Sequence, residues 1–473
     1  MKHERDDVLF LLGLGLWVAI LALTWPRALS FGDEVGYVAR AKLLLEGHLG
    51  YVAHSPGVWL PTPRGLVGKY PLLFSLLVAP LFAMSPGATF ALGVAAAVVL
   101  AWTARSIMKA WGKSPLWALL VLAHPTIVIL ARTVMADVPQ AAAAVAAWWA
   151  LKRGRAAATV AWLVLLVALK ATGPVLAFGV VAGEAISSHR ALRARDAVTW
   201  RRLAWGAAGG VLGFVLLVAL NELATGKAWF AYDHSMLSTP PFWLGYLPER
   251  APVHLVTLLL EPPLLIAGAW SYWRRRELAP LLLCGGFLAL MCVYFFADTG
   301  ASRVETIVLS PRLILPVVAF LLIGYGAWLD DVVSRFARGA AEAARGARAH
   351  GALAAALVVI PLVVAAGVSL RHARFQHAMG DVRAIASERA RADAGNTLGV
   401  TENACKAGLL HDGPTTLFDA ATNATTVVFC SVSSASHRVD QGSYSCAVPG
   451  YHAVAEEGGF YALERDGVGP GGH

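Results

Sequence analysis

Apolar runs of helical length alternate with short polar connections from Val8 to Leu370, a pattern that predicts a polytopic helical membrane bundle. Read in order, the runs give about eleven crossings: Val8–Trp25, Gly87–Ile107, Leu116–Leu130, Val138–Leu151, Ala156–Leu169, Pro174–Ile186, Leu203–Asn221, Val253–Trp273, Leu278–Ala297, Arg312–Leu329 and Ala352–Leu370. Leu72–Met84 is set apart. Thirteen residues of helix reach only about 20 Å against a hydrocarbon core of roughly 30 Å, so a re-entrant or interfacial helix is expected there.

Basic residues gather in alternate connections: Arg105, Lys109 and Lys113, then Lys152, Arg153 and Arg155, then Arg190 to Arg202, then Arg274 to Arg276. Placing those on the cytoplasmic side makes every crossing alternate consistently. The N-terminus is then cytoplasmic, Asp33 and Asp137 share the outer face, and the C-terminus lies outside the plasma (inner) membrane. The first apolar run is too long for a signal-peptide core, and no small-residue cleavage site follows it, so it is read as a retained span.

Residues 26–85 form a long first outer segment. Within it, Phe31 to Gly47 reads as a short amphipathic helix on the bilayer surface: Asp33 is the expected N-cap, Glu34 suits the first turn, and Val38, Ala41 and Leu45 recur at helical spacing. From Arg371 the composition becomes that of a small soluble domain. A helical start near Phe375–Arg391 is followed by strand-like runs at Thr425–Val432, Ser443–Val448, His452–Ala455 and Phe460–Leu463. The division expected is therefore a membrane domain, residues 1–370, and an extracytoplasmic α+β domain, residues 371–473. Cys284 and Cys292 lie in an apolar run, whereas Cys405, Cys430 and Cys446 allow one disulfide in the outer domain with one thiol left over.

Composition agrees with this pattern. The chain has 473 residues, 57% hydrophobic and only 15% charged, where a soluble protein carries about 25% charge. A formal charge of +9 does not signal nucleic-acid binding, because the arginines sit in short loops between apolar runs and set orientation instead. No pair of cysteines has metal-ligand spacing, and no internal repeat is visible.

Few polar residues fall on the outer face, and all belong to short connections: Asp33, Glu34, Lys69, Tyr70, Arg132, Asp137, Lys170, Arg303, Arg312 and the aromatic loop after Asn221. A cavity at the membrane boundary lined by carboxylates and cations is an economical way to place them. Cations hold a phosphate, and a carboxylate accepts a proton from a hydroxyl. For Lys69 and Arg312 ordinary interfacial snorkelling is an equal alternative, and Arg132 could instead pair with Asp137 in the same loop.

Several short motifs in order resemble the membrane-embedded GT-C glycosyltransferases. They are Phe31-Gly32-Asp33-Glu34 with Tyr37 and Ala39-Arg40, Gly68-Lys69-Tyr70-Pro71-Leu72, Ala131-Arg132 with Asp137-Val138-Pro139, Lys170-Ala171-Thr172-Gly173, and Ser310-Pro311-Arg312-Leu313-Ile314-Leu315-Pro316. The branch they resemble is the protein mannosyltransferase and aminoarabinose transferase group, glycosyltransferase family 39 in the broad sense. Lys69-Tyr70-Pro71-Leu72 departs from it, since the family usually has a double proline there, and residues 371–473 carry no resemblance.

The resemblance implies inverting transfer of a sugar from a polyprenyl-phosphate donor to a glycan, lipid or protein hydroxyl on the extracytoplasmic face. Asp33 would be the general base, and Glu34 would orient it or the acceptor. Lys69 and Arg312 would neutralise the leaving lipid phosphate, and Asp137 would hold sugar hydroxyls or the first-loop helix. Arg132, Lys170 and Tyr70 are further substrate-binding candidates. Metal dependence varies among such enzymes, so a divalent ion with a ligand from Glu34 is left open. A transporter or lipid flippase, or an inactive glycan-binding relative, is the alternative. Against transport, the ionisable residues gather at one face and no broken helices recur in paired halves.

Overall fold

The computed structural model describes residues 2–52, 59–68, 70–228, 242–260, 264–294, 310–340, 346–392, 397–400, 410–411, 415–417, 427–431, 446, 450–457 and 460–466. Its helices are α1 (Lys2–Leu23), α2 (Gly32–Leu45), α3 (Leu72–Met84), α4 (Ala91–Ala110), α5 (Leu120–Ala123), α6 (Pro125–Leu130), α7 (Asp137–Lys152), α8 (Ala156–Leu169), α9 (Gly173–Ser187), α10 (His189–Arg193), α11 (Ala197–Thr225), α12 (Leu247–Leu260), α13 (Ala267–Arg274), α14 (Leu278–Cys292), α15 (Leu315–Ala340) and α16 (Gly346–Ala392).

Among the described residues, five helical stretches are long and apolar enough to cross a membrane: Glu4–Leu23, Pro86–Ala110, Ala197–Thr225, Leu315–Arg335 and Ala356–Ala392. The molecule is an integral membrane protein. Shorter apolar helices accompany them at Leu72–Met84, Ala156–Leu169, Gly173–Ser187 and Leu278–Cys292.

Two of the expected crossings are interrupted, the first at a proline. Leu116–Leu130 becomes a 3₁₀ turn over Pro115–Leu119, then α5, then α6. Pro125 crowds the residue before it, and His124 accordingly adopts φ −74° and ψ 124°. Val253–Trp273 divides into α12 and α13, and Leu264 between them takes a left-handed φ of 61°.

The centre of the bundle is α7, buried along nearly its whole length from Asp137 to Leu151. Its alanines let α4, α8 and α15 pack closely around it. A similar close approach brings α13 against α15, where Gly268 and Gly324 leave no room for a β-carbon on either helix.

The first outer segment contains α2, α3 and a hairpin absent from the sequence reading. Strands β1 (Trp59–Thr62) and β2 (Gly65–Gly68) pair antiparallel around Pro63-Arg64, with Gly65 at φ 95°. Helix α3 has the predicted bounds.

At the other end of the chain, α16 runs unbroken for 47 residues, about 70 Å, straight through the composition change at Arg371. Its last turns carry Met379, Val382, Ala386 and Ala390, which form a core with Ala28, Leu398, Val400, Val427, Phe460 and Ala462. The sheet on that helix has the order β4-β3-β5-β7-β6. Here β3 is Leu398–Val400, β4 Thr415–Leu417, β5 Val427–Ser431, β6 Tyr451–Glu457 and β7 Phe460–Arg465. β3 lies parallel to β4 and β5, while β5–β7 and β6–β7 are antiparallel. The predicted strands at 425–432, 452–455 and 460–463 correspond to β5, β6 and β7; β3 and β4 were too short to stand out, and most of Ser443–Val448 lies outside the described residues. Cys446 is disulfide-bonded, and Cys284 and Cys292 are buried free thiols.

Candidate active site

Helix α2 begins two residues earlier than its carboxylates suggested. Phe31, extended at φ −114° and ψ 146°, is the N-cap, so Asp33 stands second in the helix and Glu34 third. This corrects the expected role of Asp33 as cap. Glu34 performs the capping instead: its Oε2 accepts from the backbone N–H of Phe31 at 2.7 Å and of Ser30 at 2.5 Å. Its Oε1 accepts from the N–H of Val134 at 2.6 Å, which fastens α2 to the loop before α7. Glu34 is fully buried by these donors. Its side chain therefore faces backbone amides, on the inside of the fold.

With the helix start satisfied by Glu34, the Asp33 carboxylate remains 26% exposed. It accepts a short hydrogen bond from the Tyr70 hydroxyl and forms an ion pair with Arg312. Tyr70 lies flat on the α2 surface, stacked on Tyr37 with ring centroids 4.5 Å apart. That approach requires Gly36, where an added β-carbon would come within 2.7 Å of the Tyr70 ring. The Tyr70 carbonyl accepts from Arg40 at 2.5 Å, and the Gly68 carbonyl does so at 3.4 Å. Arg40 is almost wholly buried, and burial pulls its guanidinium down to about 10.

Asp137, the first residue of α7, is 2% exposed. Its Oδ1 receives Lys170 Nζ at 2.8 Å and lies 3.8 Å from Arg312 Nε, while Oδ2 is buried without a hydrogen-bond partner. Lys170 is placed by the turn between α8 and α9, where Thr172 accepts from Gln140 at 2.9 Å. Arg312 ends the 3₁₀ turn Ser310–Arg312 that leads into α15, and its guanidinium lies 6.0 Å from the Phe31 ring centroid. Burial lowers its pKa to about 10. Tyr70, Asp33, Arg312, Asp137 and Lys170 thus form one continuous chain of polar contacts with acidic and basic groups alternating.

Arg132 is elsewhere. Fully buried, it donates to Thr24 Oγ1 at 2.8 Å, to the Thr24 carbonyl, and at 3.3 Å to Ser369 Oγ and Gln376 Oε1. It ties the end of α1 to α16, and Asp137 is not among its partners within the described residues. Both Lys69 and Arg303 lie outside the described residues, as does most of the aromatic loop after Asn221. Arg40 was missed as a site residue, although a signal existed: Asp33, Tyr37 and Arg40 follow one another at helical i, i+4, i+7 spacing.

No protein-family profile and no curated protein matches this sequence. Solved structures do. ArnT from Cupriavidus metallidurans in the apo state matches with a TM-score of 0.58 at 14% identity, over 98% of this chain and 98% of that one. ArnT from Cupriavidus metallidurans bound to undecaprenyl phosphate matches with a TM-score of 0.56 at 12% identity, over 96% and 97%. This chain has the GT-C fold.

The GT-C fold extends across nearly the whole length, including the C-terminal region for which the sequence alone offered no resemblance. Within it, the polar chain joins the starts of α2 and α7, the residue before α3's leading proline, the α8–α9 turn and the approach to α15. Each of these is a helix end, where a side chain escapes the apolar packing of the bundle. Among the described residues no group of three or more His, Cys, Asp or Glu side chains converges as a metal site. Asp33 and Asp137 face cations and Glu34 faces backbone N–H groups, a donor set that does not fit a divalent ion.

Proposed function

We propose that this protein is an inverting glycosyltransferase that moves a sugar from a polyprenyl phosphate to an acceptor hydroxyl at the extracytoplasmic face. The observation that carries the reading is the Asp33–Arg312–Asp137–Lys170 chain, in which a partly exposed carboxylate pairs with one cation and is linked through Asp137 to a second. The GT-C fold and the lipid named for one structural neighbour, undecaprenyl phosphate, support a lipid-linked donor.

In the proposed reaction the acceptor oxygen attacks the anomeric carbon while Asp33 takes the hydroxyl proton. The bond from that carbon to the phosphate oxygen breaks, and its electron pair leaves on the polyprenyl phosphate. Attack opposite the departing phosphate inverts the anomeric centre. Arg312 and Lys170 neutralise the charge gathering on the leaving oxygen, and Lys69 is proposed to join them. Tyr70 donates to Asp33 and fixes the orientation of its carboxylate. Asp137 holds Lys170, with its second oxygen left for a sugar hydroxyl. Glu34 orients Asp33 through the helix start, and Arg132 supports the site through the α1–α16 junction.

Two measurements test this. Mass spectrometry of lipid copurifying with the full-length protein should find a polyprenyl phosphate or its sugar ester. In membranes supplied with lipid-linked sugar, Asp33→Asn should abolish transfer while the protein still retains that lipid. Normal turnover in Asp33→Asn removes Asp33 as the base. Solute accumulation in vesicles with no lipid-linked sugar consumed would establish a transporter instead.

A further inference from the structure

A polar cavity of about 510 Å³ lies at the opposite end of the bundle from Asp33. The separation follows from α7: it starts at Asp137 in the charged chain and ends at Lys152 beside this cavity, 16 residues or about 24 Å away. Arg105 and Lys109 of α4 and Arg153 and Arg155 of the α7–α8 turn contribute four cations to its lining, with Trp102 and Trp149 as walls.

These cations are in two different states. Arg105 and Lys109 are held by one carboxylate, Asp7 of α1: Arg105 Nε donates to Oδ1 at 3.0 Å, and Lys109 pairs with Oδ2. Arg153 and Arg155 have no ion-pair partner among the described residues. Arg153 rests over the Trp149 ring at 5.5 Å from its centroid, and Arg105 over the Trp102 ring at 4.8 Å. Helix α8 adds a further attraction for an anion. Its N-cap is Arg155, which makes no side-chain cap, and Ala158 in its first turn lines the cavity.

We propose that this cavity binds the phosphate of an anionic phospholipid in the leaflet opposite the Asp33 cluster. Four lining cations against one neighbouring carboxylate leave an excess of positive charge for a phosphate ester. The tryptophan walls, Trp149 in the last turn of α7 and Trp102 about two turns before the end of α4, favour a headgroup at the membrane interface over a free ion. The inference does not depend on the transfer reaction.

Native mass spectrometry of the full-length protein in neutral detergent tests it, with phosphatidylglycerol and phosphatidylcholine as probes. The doubly substituted R153Q/R155Q protein should bind phosphatidylglycerol roughly 30-fold more weakly, while phosphatidylcholine binding stays as in wild type. Both arginines are exposed, so the substitutions leave the packing of the bundle intact. R274Q/R276Q, which removes two arginines from another basic turn, should retain wild-type binding. Equal weakening in both doubly substituted proteins, or none in R153Q/R155Q, overturns the proposal. Complete displacement of phosphatidylglycerol by inorganic phosphate assigns the site to the free anion and overturns the lipid.

Discussion

Arg312 and Asp33, 279 positions apart in the chain, meet as an ion pair where α2 faces the turn leading into α15. In the proposed reaction this contact joins the group that takes the proton to the group that steadies the departing phosphate. In that reaction a donor phosphate would compete with Asp33 for Arg312, which would couple donor binding to release of the carboxylate through one guanidinium.

Arg312→Ala should therefore lower transfer by about a hundredfold to a thousandfold, the scale of losing one preorganised donor to developing negative charge. Arg312→Lys should recover part of it, because it restores charge but not the forked geometry. Transfer rates at saturating lipid-linked sugar check this; an alanine variant with wild-type turnover leaves the phosphate without its proposed partner.

Glu34→Ala strips acceptors from the N–H groups of Ser30, Phe31 and Val134. Leaving buried donors unsatisfied costs about 1–3 kcal/mol each, and this one substitution exposes several at once. The detergent-solubilised protein should lose several degrees in its unfolding midpoint. Glu34→Gln keeps an acceptor and should lose less. Equal midpoints for all three proteins would show that the α2 start is held by something else.

Gly36→Ala places a β-carbon 2.7 Å from the Tyr70 ring. Overpacking of this kind costs about 1–3 kcal/mol, and the ring must shift, which disturbs its hydrogen bond to Asp33. We expect a transfer rate reduced about tenfold to a hundredfold, in keeping with a misplaced site group. Tyr70→Phe should reproduce the loss of the hydroxyl without the clash, and comparing the two separates displacement of the ring from loss of its hydrogen bond.

Tyr37 is 1% exposed, and burial, with the Asp137 charge second, pushes its hydroxyl well above the usual tyrosine range. Its folded-state value is raised, so the stability it contributes is present below about pH 10 and declines as the unfolded chain begins to ionise above it. Ultraviolet difference titration of wild type against Tyr37→Phe should show no tyrosinate from this residue near pH 10 in the folded protein. A tyrosinate step there that vanishes in Tyr37→Phe would contradict the buried stack.

Arg132→Met should destabilise by about 2 kcal/mol, since it leaves buried acceptors at Thr24 and Gln376 without their donor. Its effect on turnover per folded molecule should be far smaller than that of Asp33→Asn. Unfolding midpoints measured beside transfer rates on the same preparations distinguish a support from a participant.

Much of the molecule could be read from the linear pattern because lipid and water impose strict local rules. Apolar runs must bury their backbone in helices, so Leu72–Met84 was legible to the residue, and the ordered motifs around Asp33, Asp137, Lys170 and Arg312 pointed to the GT-C fold before any coordinates. The break at Pro125 was signalled by the proline itself, but its effect was outweighed by the hydropathy around it. Other features have no local signature. Whether Asp33 or Glu34 caps α2 depends on the N–H of Val134, a hundred residues away, and Arg132 turns from Asp137 toward Gln376 because α16 arrives beside it. A charged side chain in a low-dielectric interior must find a partner, and several lay within reach of each residue along the chain. The packing of distant helices selected among them, and no pairwise spacing in the sequence records that choice.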